Sequence, residues 1–451
     1  MLPPVFFVCS VCGSVVTVDA SPGYRCPQGA SDGDGAIHRL VREIEPRRLQ
    51  WPEVGPDNPL LRYRHFSSPY LRFRVGGGTD ADYVEKVIEL ETIVSGATKA
   101  RFRASPLTRS DALEIATGRE GRGSVFLQDR TSFAGGPGTW LGLAHALLPE
   151  WLGIEGRPIV TMSLAEDSSD ASTLAGILGR PMETLPAPSS SAADYFPWTG
   201  WRDLNAWVLE GESHWAYMAV DRLRRMGETV DRVFLPPDGR GSAGWALGLR
   251  EAFRLGATSS LPRIHIVEEE GTHRVGHRYD ATLREILGRV DETLLDPNLE
   301  DMSRRFLRVR RVFADQILRG LRSEEADHPV RAAVESGLRS VLESLGPGIG
   351  YEEILVRAMI ESGGFPVEVN DDDLVRGRML SRREPPPDTS GGTAHPAGDA
   401  TLSPRADEAM DSAKRVPGTA GHRYGLSSAG MLRLFAGEDL GPAEVLLAVD
   451  P

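Results

Sequence analysis

EGESHWAYMAVDRLRRMGETVDRVFLPPDGRGSAGWALGLREAFRLGATSSLPRIHIVEEEG, residues 210–271, is the stretch that decides how this chain folds. Within it, HWAYMAVDRLRRMG (214–227) and SAGWALGLREAFRLG (242–256) space their apolar residues three and four apart, the period of a helix with one buried face. Between and after them, DRVFLPP (231–237) and RIHIVEEE (263–270) are short apolar runs closed by proline or by charge. Strands buried on both faces are apolar without alternation, and helices placed between such strands cross over the sheet, so the pattern predicts parallel α/β architecture. The same signal recurs outward from this stretch, in SVFLQD (124–129), RPIVTMS (157–163) and EVLLAVD (444–450), enough strands for two parallel sheets.

Composition sets the frame for this reading. The chain has 451 residues, 40% of them hydrophobic, with a net charge of −13. Such a length predicts about two to four structural units able to bury a core without disulfides. No apolar run reaches the ~18 residues of a membrane span, and the start, MLPPVFFVCSVCG, lacks a basic leader pattern, so a cytoplasmic protein is expected. An acidic pI near 5.4 argues against nucleic acid or an anionic membrane as the main partner, since both select for excess positive charge. Of the 51 basic residues only three are lysines, Lys86, Lys99 and Lys414.

The first 45 residues stand apart as a zinc-ribbon-like segment. All three cysteines lie there, in Cys9-x-x-Cys12-Gly13 and Cys26-Pro27. Two thiolates at the tip of a tight turn can reach one tetrahedral zinc, which needs two further ligands. Cys26 supplies the third, and His38 is the nearest residue able to supply the fourth. A ribbon that keeps its shape without metal is the alternative, its thiols reduced. Residues 46–384 are expected to form a two-domain core, with the smaller domain at about 150–205. Residues 280–345 turn helical and arginine-rich with alternating charge, as in RRFLRVRRVFADQILRGLR (304–322), the mark of a solvated helix face. Residues 385–423, which include PPPDTSGGTAHPAGDATLSP, read as a disordered insertion, and 424–451 as a closing helix and strand of the core.

The 210–271 stretch resembles the threonine synthase family of pyridoxal-phosphate enzymes, including the cysteate synthases: helix, strand ending in proline, glycine loop, helix, L-P-R-I strand. NPLLRYRHF (58–66), ASPLTRSDALEIATG (104–118), SVFLQD and the closing YGLSSAGMLRLFAG (424–437) with EVLLAVD are similar to that family's elements in the same order. The resemblance implies a tryptophan synthase beta-like, fold-type II architecture and a cofactor phosphate held at Gly239, Arg240, Gly241 and Ser242. The residues fit that role in part: glycines free backbone N–H groups to face an anion at a helix start and Ser242 can add a hydroxyl, whereas Asp238 repels it. A tight turn without a ligand is the competing reading.

The family's chemistry is not carried over with its pattern. Where such enzymes have the lysine that forms a Schiff base with the cofactor, the loop Asp129–Gly142 places Thr139, which cannot form an imine, and no lysine lies nearby. The substrate-carboxylate loop falls on Ser163–Ser168, where Glu166 and Asp167 replace small polar groups; they either repel a carboxylate or cap the following helix. The family's polar loop after the last strand is matched only as far as Asp450-Pro451. The expectation is therefore a degenerate relative acting as a binding or partner subunit. It would form a homodimer or serve an active paralogue, with pyridoxal phosphate held non-covalently if at all. The alternative is an enzyme of amino-acid metabolism, a lyase or synthase with repurposed chemistry on a small amino-acid-like or phosphorylated ligand. Its candidate groups are Asp129, Arg130, Glu166, Asp167, Asp238, Arg240 and His214, the last more often a packed histidine. A third reading keeps ordinary cofactor chemistry with the loop misplaced, against which the scarcity of lysine counts.

Overall fold

A computed structural model describes residues 3–9, 12–18, 26–28, 40–53, 55–98, 107–120, 125–129, 159–162, 182–185, 196–199, 205–237, 240–272, 274–290, 351–381, 426–437 and 446–450, with short pieces between 317 and 337. The chain opens with β1 (Val5–Cys9), β2 (Val15–Thr17) and β3 (Leu40–Ile44), then α1 (Pro59–Arg62), α2 (Ser68–Val75) and α3 (Asp80–Thr98). Next come β4 (Leu107–Arg109), α4 (Asp111–Ala116), β5 (Val125–Asp129), and the short strands β6 (Ile159–Met162), β7 (Met182–Leu185) and β8 (Phe196–Thr199). The stretch that opened the analysis follows as α5 (Asn205–Arg225), β9 (Arg232–Leu235), α6 (Arg240–Arg254) and β10 (Arg263–Glu269). After these come α7 (Arg274–Val290), α8 (Glu352–Ser362), β11 (Val367–Val369), α9 (Asp371–Ser381), α10 (Leu426–Gly437) and β12 (Leu446–Asp450).

The expected class is the one observed: mixed α/β with a parallel-rich sheet. Six strands lie in the order β11-β10-β9-β12-β5-β4, all neighbours parallel except the β4–β5 edge. A second sheet, β7-β6-β8, is parallel throughout. Val125, Phe126, Leu127, Val233, Phe234, Leu235, Ile264, Ile266, Val267 and Leu446–Val449 are all buried, which is why these segments read as continuous apolar runs. The closing strand takes a central place. Leu446–Asp450 pairs residue for residue with Val125–Asp129 on one side, and Leu446–Ala448 pairs with Arg232–Phe234 on the other.

Helices α5 and α6 pack on each other at close range. A Cβ added at Gly248 would lie 2.5 Å from the Ser213 carbonyl oxygen and 2.8 Å from the Ala216 methyl, so only glycine lets the two backbones approach. The Ser213 hydroxyl bridges the pair, 2.8 Å from the Leu209 carbonyl of its own helix and 2.9 Å from the Gly244 carbonyl of α6. The first three strands form a separate antiparallel sheet, β2-β1-β3, whose alternating burial in β3 sends Leu40, Arg42 and Ile44 inward. Residues 385–423 and the arginine-rich 304–322, apart from Ile317 and Leu321, lie outside the described residues.

Candidate functional site

In an open parallel sheet the ligand-binding crevice lies beyond the carboxyl ends of the strands. At that edge β9 ends at Leu235 and α6 starts at Arg240, so the first turn of a 15-residue helix follows closely on a buried strand. Free backbone N–H groups at such a helix start are suited to an anion. Gly241 and Ser242 occupy that first turn. Ser242 is 1% exposed, and its hydroxyl donates to the Pro236 carbonyl at 2.5 Å, tying the turn to the strand it leaves. Arg240 is placed by its backbone alone, and Asp238 and Gly239 lie outside the described residues.

The neighbouring loop leaves β5 at Asp129, which is in register with Asp450 at the end of β12. Two acidic positions thus end adjacent central strands. Arg130, Thr139, Glu166 and Asp167 lie outside the described residues, as do Lys99 and Lys414. The remaining lysine, Lys86, is half-exposed on α3 and pairs with Glu89 at 3.3 Å. Its place is a solvated face of that helix.

His214 takes the packed role. It is 2% exposed, lies between Tyr63 and Tyr217 at ring-centroid distances of 5.8 and 5.1 Å, and its Nδ1 is 2.7 Å from the Glu210 carbonyl. Burial is the main reason its pKa falls to about 3, which keeps the imidazole neutral.

The cysteine cluster forms as the spacing predicted. Sγ atoms of Cys9, Cys12 and Cys26 all lie within 4.8 Å of one another, and those of Cys12 and Cys26 are 3.2 Å apart. Tetrahedral zinc with sulfur ligands at about 2.3 Å places sulfurs roughly 3.8 Å apart, so the three thiols are grouped closely enough to hold one metal ion, with Cys12 and Cys26 in direct thiol contact. Gly13, at φ +70°, makes the turn, closed by the Gly13 amide donating to the Cys9 carbonyl at 3.0 Å. His38 lies outside the described residues.

A polar network that the sequence reading missed joins this ribbon to the core. Arg42, 1% exposed, donates to Glu251 at 3.1 Å and to the Phe66 carbonyl at 2.7 Å, and its Nε lies 3.8 Å from Glu210. Tyr217 also donates to Glu251. Glu210 accepts from the Ser68 amide at 2.6 Å, yet burial pushes its carboxyl up to about 7 against the pull of Arg42. Beside it, Asp221 accepts from Tyr63 at 2.5 Å and Trp51 at 2.7 Å and pairs with Arg62 at 2.6 Å. A signal was present in LVREI, where period-two alternation puts Arg42 on the same face as Leu40 and Ile44.

Comparison with known proteins adds structural likeness only. No family model matches the chain, and no curated protein matches it. Among solved structures it is similar to the pyridoxal-phosphate-bound threonine synthase from Brucella melitensis, with TM-score 0.43, 12% identity, and 99% of this chain and 88% of that one covered. It is also similar to maize serine racemase, with TM-score 0.41, 12% identity and coverage of 81% and 92%. A threonine deaminase from T.th. gives TM-score 0.40, 15% identity and coverage of 81% and 95%.

Proposed function

We propose that this chain is a binding or partner subunit built on a pyridoxal-phosphate enzyme scaffold from which lysine chemistry has been lost. The observation that carries this reading is the absence of lysine from residue 100 to 413, with Thr139 at the position where the resemblance expects the Schiff-base lysine. When bound in its enzymes, the cofactor supplies an electron sink for carbon-acid chemistry, and a lysine amine holds it there. The Ser242 hydroxyl expected for the phosphate is spent on the Pro236 carbonyl, so what suits the phosphate end is the backbone N–H groups of Gly241 and Ser242 on the first turn of α6, and nothing suits the covalent end. No reaction step is derived through the group. Guanidinium cannot substitute for the amine, because it stays protonated and is a poor nucleophile. The ligand expected at the carboxyl edge is small and phosphorylated or amino-acid-like. The working assembly is a homodimer or a complex with an active paralogue.

Titration of the purified protein with pyridoxal phosphate, followed by borohydride reduction and intact mass, tests this. The expected result is saturable binding with free-aldehyde absorption and no mass increase after reduction. A reduced adduct on Lys86, Lys99 or Lys414 would overturn it. We further propose that Cys9, Cys12 and Cys26 hold one zinc ion, supported by the mutual distances of their sulfurs. Metal analysis after purification without chelator is expected to give one equivalent, and Cys26→Ser to lose it.

A further inference from the structure

Away from the carboxyl edge, a cavity of about 370 Å³ opens at the other end of the same elements. It is bordered by Ile264 at the start of β10, by Leu247 and Arg250 in the second half of α6, and by the ribbon. Helix α8 closes it with positions 353, 354, 357, 358 and 361, the spacing of one helical face. The volume lies in the range that takes a small organic molecule. The lining is mixed. Val41, Leu247, Leu261, Ile264 and Ile354 are apolar, whereas Glu43, Glu353 and Glu361 set three carboxylates against the two guanidiniums of Arg250 and Arg357.

Two of these carboxylates are satisfied unequally. Glu43 accepts from Arg250 at 2.5 Å on one oxygen and from Arg254, which stands outside the lining, at 2.6 Å on the other. Glu361, 24% exposed, has Arg250 at 3.9 Å and Arg357 at 3.5 Å, and accepts no hydrogen bond among the described residues. A guest that fills the cavity strips water from this carboxylate, so the guest itself has to donate to it. A neutral apolar body leaves the charge without a donor, and an anion has to compete with Glu43 and Glu361 for the same guanidiniums. An ammonium group brings three donors and a compensating charge. We propose that this cavity is a ligand site, separate from the turn before α6, for a small primary amine with an apolar body. Its ammonium donates to Glu361, and its body lies against Leu247, Leu261, Ile264 and Ile354. Neither pyridoxal phosphate nor zinc takes part in it.

Isothermal titration of the full chain with phenethylamine, tryptamine and hexylamine near neutral pH tests this. At least one amine is expected to saturate at one equivalent. The alcohol of the same skeleton should bind at least about tenfold more weakly, and the carboxylate of that skeleton more weakly still, because a charge-assisted hydrogen bond is lost and then replaced by repulsion. Glu361→Gln should weaken the amine about tenfold and remove most of its advantage over the alcohol. Ala358→Trp, which fills the space, should abolish binding; should it fail to fold by circular dichroism, Ala358→Leu, a smaller insertion, should weaken it. No saturation by any of the three amines at millimolar concentration would overturn the assignment. So would an alcohol or carboxylate that binds as tightly as its amine, or an affinity unchanged in Glu361→Gln or in the filled variant.

Discussion

The two ends of helix α6 are held in opposite ways. At its start, Ser242 bonds to a carbonyl six residues earlier, and the turn is closed by its own neighbourhood. At its far end, Arg250, Glu251 and Arg254 reach residues more than 200 positions away: Glu251 receives Arg42, and Glu43 receives Arg250 at 2.5 Å and Arg254 at 2.6 Å. The first end is a local turn suited to an anion. The second is a clamp that fastens the ribbon to the core, with the Arg42–Glu251 pair out of water, where a missing partner is costly, and the Glu43 pairs partly exposed. The same helix thus carries a candidate ligand site at one end and a long-range structural joint at the other.

The largest effect that would break this contrast is at Arg42. Removing it strands Glu210 and Glu251 in the interior, so Arg42→Ala is expected to cost about 3–5 kcal/mol in denaturant unfolding. A loss below about 1 kcal/mol would show that the ribbon is not clamped in this way. Midway along α6, Gly248→Ala forces a methyl against the Ser213 carbonyl and should cost roughly 1–3 kcal/mol, read from the urea midpoint at constant slope.

The pH dependence sharpens the comparison. Glu210, raised to about 7 by burial from an ordinary 4.5, binds more protons folded than unfolded, so this group makes the wild type lose stability as pH rises from 4.5 to about 7. Glu210→Gln cannot titrate, and its melting temperature should fall less over that interval. Parallel curves for the two proteins would mean that the Glu210 carboxyl titrates alike in the folded and the unfolded chain. The smallest effect is expected at the near end. Ser242→Ala deletes one local hydrogen bond and should cost about 1 kcal/mol, with the buried thiols of Cys9 and Cys26 as protected from alkylation as before. Exposure of those thiols would show that the two ends of the helix act as one.

Legibility follows the same division. Strands β5, β9, β10 and β12 and helices α5 and α6 were readable because each carries its signal within a few neighbouring residues. The cysteine cluster was readable for the same reason, since Cys9 and Cys12 share one turn and Cys26 follows closely. His214 was rightly weighted toward packing. Arg42 and Glu43 drew no reading from the sequence, although the alternation around them places Arg42 inward. Their partners, Glu210, Tyr217, Arg250, Glu251 and Arg254, are on the helix pair α5 and α6, far from them in sequence.

By itself, then, the amino-acid sequence determined the parallel α/β class, the grouping of the three thiols and the absence of lysine between residues 100 and 413. These depend on residue type and near-neighbour spacing, which folding does not rearrange. The tertiary structure alone decided that β12 enters the sheet between β5 and β9, that Arg42 is buried among two carboxylates, and that a cavity opens between the thiols and α6. Those outcomes depend on which distant surfaces meet, because long-range packing sets the burial of each charge, and burial sets what that charge can do.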